Sequence, residues 1–114
     1  MAKKILIVDD DTGFVSRILN LVGTSKHSFS VADSLNRARY LLGKNKFDLI
    51  LANVKVPGGN SLDLKASFNK TSYNADFWFM SSLDSDYDYV VDRGEKCYHK
   101  YDYENSLRMS LENA

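Results

Sequence analysis

Apolar runs in this chain recur at intervals, and four of them end in a polar residue on their C-terminal side. Ile5-Leu6-Ile7-Val8 runs into Asp9-Asp10, and Phe47-Asp48-Leu49-Ile50-Leu51-Ala52 runs into Asn53. Phe77-Trp78-Phe79-Met80 gives way to Ser81-Ser82, and Cys97-Tyr98-His99 to Lys100. Runs that are continuous rather than alternating are the pattern of strands buried on both faces. Strands are therefore predicted over 3–9, 47–52, 77–80 and 96–99, with a shorter one over 29–32.

Helical spacing fills the intervals. Phe14, Val15, Ile18, Leu19 and Val22 lie on one helical face, with Asp11 or Thr12 as the cap and Gly23 as the stop. Ser34 caps a second helix carrying Leu35, Ala38, Leu41 and Leu42 and ending at Gly43. The turn Pro57-Gly58-Gly59-Asn60 precedes a helix over 61–68, whose apolar side is Leu62, Leu64 and Phe68. A weak helix, rich in aspartate and tyrosine, is expected over 85–92, and a last one over 102–112 with Leu107 and Leu111. Five β-α units imply an α/β fold: a doubly wound, five-stranded parallel sheet with right-handed crossovers and helices on both faces. In such a sheet the polar strand ends converge on one crevice, where ligands bind.

With 114 residues the chain is expected to form a single domain, 1–114. Fifteen basic and fifteen acidic residues leave no net charge, which argues against nucleic-acid binding by bulk charge. One cysteine suits a reducing cytoplasm. No apolar stretch approaches a membrane span, and residues 5–8 are too short for a signal peptide. The expectation is a cytoplasmic protein.

Adjacent carboxylates at a strand end repel unless a cation lies between them. An oxygen-rich cluster of that kind suits Mg²⁺. Taken alone, Asp9-Asp10-Asp11 reads as a helix cap; facing three other polar strand ends, it reads as a site. Together Asp9, Asp10, Asn53, Ser81 and Lys100 resemble the receiver domain of two-component response regulators, over essentially the whole chain. That resemblance implies a flavodoxin-like receiver fold and a phospho-acceptor position at Asn53. It implies a metal ligated by Asp10, by the side chain at Asn53 and by the carbonyl of Lys55, with Asp9 acting through water. Ser81 becomes the switch hydroxyl, Lys100 the pocket lysine and Cys97 the switch-aromatic position.

The chain departs from the pattern at several of these points. A carboxamide is neutral and holds its lone pair in resonance, so Asn53 cannot form an acyl phosphate. It also removes one charge from the metal site, leaving at best a weak Mg²⁺ site and no cofactor the chain requires. Lys100, deprived of an acceptor carboxylate, has Asp9 or Asp10 as partner. Tyr101 follows the lysine where the family has a cis proline, and a cis bond there would cost about 3 kcal/mol, so the peptide is expected to be trans. Tyr98 should point to the opposite sheet face from Cys97. The interval from Ser81 to Lys100 is short for the family, implying a trimmed fourth helix or loop.

Six of the seven tyrosines, Tyr73, Tyr87, Tyr89, Tyr98, Tyr101 and Tyr103, fall in the last two fifths of the chain. Tyrosine is enriched at interfaces, and in the family the face of the fourth helix, fifth strand and fifth helix docks partners. Tyr87, Tyr89, Tyr98, Tyr101 and Tyr103 are the expected partner face, for a protein partner or a homodimer. The leading expectation is a non-enzymatic pseudo-receiver acting by phosphorylation-independent protein–protein interaction. An alternative is a phosphorylatable receiver carrying an engineered aspartate-to-asparagine change at Asn53. A remote one is a haloacid-dehalogenase-like phosphatase, because Asp9-Asp10-Asp11 contains Asp-x-Asp; Gly13, however, stands where that motif needs threonine.

Overall fold

Residues 2–23, 26–68 and 75–114 are described by the computed structural model. Five parallel strands form one sheet in the order β2-β1-β3-β6-β7: β1 Lys4–Val8, β2 Ser28–Ala32, β3 Leu49–Asn53, β6 Asp76–Ser81 and β7 Cys97–His99. The register aligns Val8 with Ala32 on one side and Ala52 on the other, and Asn53 with Met80. The chain reverses its direction of winding between β1 and β3, so the crevice opens above those strands. The α/β fold expected from the hydrophobic pattern is the one observed.

Two cores sandwich the sheet. Leu6, Val8, Ile50, Ala52 and Phe79 face one side with α2 (Leu35–Lys44), α3 (Ser61–Phe68) and α4 (Asp84–Asp92). Ile5, Ile7, Leu49, Leu51 and Met80 face the other with α1 (Thr12–Val22) and the C-terminal helix. Strict alternation along each strand delivers these residues to opposite faces, which is why the central runs 5–8 and 49–52 are apolar at every position. Asp11 and Ser34 cap α1 and α2, each side chain accepting from a backbone N–H three residues on.

Three features differ from the sequence expectation. The Pro-Gly turn is a small hairpin, β4 (Lys55–Val56) against β5 (Gly59–Asn60). Gly58 has φ +101° and packs where a Cβ would meet that of Leu35 at 3.3 Å, so only glycine fits. The last helix is not regular: a 3₁₀ turn (Lys100–Asp102) and a π turn (Tyr103–Leu107) precede α5 (Arg108–Glu112). And Tyr98, expected on a partner face, is buried at 7 % exposure, its hydroxyl 2.8 Å from Ser110 Oγ and its ring against Trp78. The burial follows from alternation: the position after Cys97 must face the α1/α5 core, where Leu107 and Leu111 already pack.

His27 is a further structural tie. It is buried, accepts from the Lys3 backbone N–H at 3.0 Å through Nδ1, and lies 3.0 Å from the Leu111 carbonyl through Nε2. A carbonyl can only accept, so Nε2 donates to it. It pins the start of β1 to the last turn of α5.

Candidate functional site

Asp9 follows β1, Asn53 ends β3, Ser81 ends β6, and Lys100 follows β7, so the sheet itself gathers these four at one edge. Asp9 is 1 % exposed and both of its carboxylate oxygens are committed. Oδ1 accepts from the Asp11 backbone N–H at 3.0 Å, and Oδ2 accepts from Lys100 Nζ at 2.8 Å. The ammonium also lies 3.7 Å from Asp11 Oδ2 and 4.5 Å from the centroid of the Phe14 ring. Lys100 therefore supplies the cation that the carboxylate cluster requires, from within the chain. Of the two partners open to Lys100, the structure selects Asp9; Asp10 is exposed.

Asp11 stands at the N-cap of α1. The hydrogen bond from the Phe14 backbone N–H is the main influence and, with the lesser Lys100 and Arg17 charges, holds its carboxyl below the usual value of 3.8 against the opposing effect of burial.

Asn53 is half-buried, and its Nδ2 donates to the carbonyl oxygen of Lys55 at 2.6 Å. The polarity of this bond matters. Two acceptors cannot face each other unbridged, so an aspartate here would need a metal ion or a proton between its oxygen and that carbonyl. The amide carries its own donor and closes the gap. The main chain of Asn53 is fixed as well, its carbonyl accepting from Ser61 Oγ at 2.6 Å. Asn53 and Lys55, two of the three positions expected to ligate Mg²⁺, are thus brought together but satisfy one another. Asp10 adds a single exposed carboxylate. Among the described residues no three or more His, Cys, Asp and Glu side chains cluster as a metal site. As it stands, this donor set does not fit a divalent cation.

Ser81 is buried at the end of β6, and its hydroxyl is used locally. It accepts from the Leu83 N–H at 3.0 Å and donates to the Leu83 carbonyl at 3.2 Å, forming the turn that enters α4. Cys97, at the switch-aromatic position, packs on the α4 side of the sheet with Tyr98 on the other, as alternation requires. Burial pushes the Cys97 thiol up to about 11. All peptide bonds among the described residues are trans, including Lys100-Tyr101.

His99 was not singled out in the sequence, yet it organises the seam between α4 and β7. Its ring stacks on Tyr87 at 3.8 Å between centroids and meets the Tyr101 ring tilted at 4.7 Å, and its Nδ1 lies 3.8 Å from Asp84 Oδ1. The sequence signal was weak: His99 closes β7, but Tyr101 lies in the 3₁₀ turn beyond it, where strand alternation no longer sets side-chain direction. Lys55 reaches Asp86 at 3.3 Å, so the residue whose carbonyl holds Asn53 also ties the pocket to α4. Of the remaining tyrosines, Tyr89 and Tyr101 are exposed, whereas Tyr103 is half-buried with its ring edge on Phe14. Tyr73 lies outside the described residues.

No family model matches the chain, and no curated protein does. Solved structures match throughout its length. The signal receiver domain of an HD domain-containing protein from Pseudomonas fluorescens Pf-5 superposes with a TM-score of 0.82 at 17% identity, covering 96% of this chain and 84% of that one. A CheY-like receiver domain from Methylobacillus flagellatus gives 0.81 at 16% identity, covering 99% and 98%. The response regulator TrrA from Thermotoga maritima, solved in complex with Mg²⁺ and beryllium fluoride, gives 0.79 at 15% identity, covering 97% of each chain. This chain is built on the receiver-domain fold.

Proposed function

We propose that this chain is an atypical receiver domain of a bacterial-type response regulator, one that acts by contact with other proteins and does not take up phosphate. The observation that carries the reading is the Asn53–Lys55 hydrogen bond: the acceptor position holds a group with no nucleophilic oxygen, and that group occupies the carbonyl a metal would use. Two further features support it. Lys100 is sequestered by Asp9 rather than free to meet a phosphoryl group, and the Ser81 hydroxyl is consumed in its own turn. Mg²⁺ binding, on this reading, is weak or irrelevant.

The domain is not an enzyme in this account. Asp9, the first carboxylate of the Asp-x-Asp run, has both oxygens engaged, which leaves the phosphatase reading without a free group there. Contact with a partner runs through α4 and the segment after β7, where Leu83, Tyr89, Val91 and Tyr101 are exposed. Large amphipathic rings at a surface are the usual anchors of an interface. Among the described residues no helix is long and apolar enough to cross a membrane, and the proposed setting is the cytoplasm.

Chemical-shift mapping tests the reading. Adding Mg²⁺ with a beryllium fluoride phosphate mimic should leave the amides of 9–11, 53–55 and 81–83 unmoved. The same reagents should shift them in Asn53→Asp. Specific, saturable shifts in the unaltered protein would overturn it.

A further inference from the structure

The chain is neutral as a whole but not in its parts. Helix α2 carries basic side chains and no acidic one, whereas α4 carries four aspartates and no basic residue. On α2, Arg37, Tyr40 and Lys44 lie three and four residues apart, hence on one exposed stripe. The Arg37 guanidinium is 5.1 Å from the Tyr40 ring and the Lys44 ammonium 5.8 Å, and neither cation has an acidic partner among the described residues. On α4, Asp84, Asp88 and Asp92 recur every four residues along an exposed stripe. Asp84 lies near His99, while Asp88 and Asp92 have no ion-pair partner among the described residues.

Asp84, in the first turn, suits the dipole of its helix, but the rest of the acidic stripe does not. Like charges at a spacing of four repel, and Asp92 stands at the C-terminal end, where the helix dipole disfavours an anion. A cationic surface of matching length would relieve both. From the rise of a helix, Arg37 and Lys44 stand about 10 Å apart along α2, and Asp84 and Asp92 about 12 Å apart along α4. Each stripe has an exposed tyrosine on its helix, Tyr40 and Tyr89, to supply contact area.

We propose that the α4 stripe of one copy of this chain docks on the α2 stripe of a second copy. Helix α2 packs beside β1 and β2, and α4 beside β6 and β7, so the two stripes lie toward opposite ends of the same helical layer. A single α2–α4 contact is heterologous: it leaves a free stripe on each of the two copies, so its repetition builds rows, or a ring where the rotation closes. The inference rests on reading α4 as a contact face, but not on the chemistry of the pocket.

Sedimentation velocity of the full chain tests it, at loadings from about 10 μM to about 1 mM in low salt and in high salt. Low salt should give a sedimentation coefficient that climbs steadily with loading, and high salt should weaken the association about tenfold. One variant reverses the basic stripe, Arg37→Glu with Lys44→Glu; another reverses the acidic stripe, Asp84→Lys with Asp88→Lys and Asp92→Lys. Each alone should be monomeric, and their equimolar mixture should associate again, because the intact α4 stripe of the first variant meets the intact α2 stripe of the second and the two reversed stripes are also of opposite charge. A monomeric parent chain at low salt overturns the proposal. So does undiminished self-association of either variant, or a mixture that fails to pair. A monomeric parent would leave the pocket result untouched, and a phosphate adduct in the pocket would leave the self-docking intact, so the two readings fail separately.

Discussion

Lys100 Nζ stands 2.8 Å from Asp9 Oδ2, and both side chains are almost wholly withdrawn from water. The residues are 91 positions apart, so this pair closes the pocket by joining the first strand to the segment after the last. A buried pair of this kind contributes little over an apolar replacement, yet removing one partner strands the other charge. Lys100→Met should therefore destabilise the fold by about 3 kcal/mol, while Asp9→Asn with Lys100→Met should recover much of that loss. Urea unfolding of Lys100→Met, Asp9→Asn and the double variant measures it. Simple addition of the single effects would show that the two do not interact.

Asp11 should govern part of the acid limb of stability. Its folded carboxyl sits below the ordinary value because the Phe14 N–H favours the ionised form. A lowered folded value means the contribution is full above the unfolded value of 3.8 and is lost as pH falls through the folded one. Asp11→Asn should keep most of the cap at neutral pH but flatten that acid dependence. Asp11→Ala should lose about 1 kcal/mol at pH 7 through the missing cap. Thermal unfolding across pH 2 to 7, roughly the span over which carboxylates titrate, distinguishes the two.

Cys97 should be an inert thiol in the folded protein. Burial raises it to about 11, so at pH 8 almost none is thiolate. Iodoacetamide should modify it slowly until urea unfolds the chain, when the rate should rise more than tenfold. The same shift makes stability fall as pH climbs from the unfolded value of 9.0 towards the folded one. Rapid labelling of the native protein would show that the strand edge is open.

The tyrosines should separate into structural and contact residues. Tyr98→Phe removes one half-buried hydrogen bond and should cost about 1 kcal/mol with no effect on partner binding. Tyr89→Ala and Tyr101→Ala, both at exposed rings, should change stability by less than about 0.5 kcal/mol yet weaken partner binding at least tenfold. Paired unfolding and binding measurements decide this.

Much of this was legible before any coordinates. The central strands announce themselves because both faces are buried and residues 5–8 and 49–52 are unbroken apolar runs, and the strand ends follow from them. Asp9, Asn53, Ser81 and Lys100 stand out as polar strand ends, but their roles in one site come only from the resemblance to receiver domains. What escaped depended on pairing choices. Nothing local tells Lys100 to prefer Asp9 over Asp10, since that is decided by which carboxylate β1 turns inward. Tyr98 was misplaced although its parity relative to Cys97 was known, because a tyrosine suits a core and a surface equally well. The irregular turns from 100 to 107 carry no propensity signal; they arise where Lys100 is held by Asp9 and Tyr103 by Phe14.

The central claim concerns the crevice. Incubating the unaltered chain with Mg²⁺ and a small-molecule phosphodonor, then recording its intact mass, tests it most directly, with Asn53→Asp treated in parallel. The account predicts an unchanged mass for the chain carrying Asn53 and a phosphoryl increment in the aspartate variant. A phosphoryl adduct on the unaltered chain, mapped to the strand ends, would contradict it.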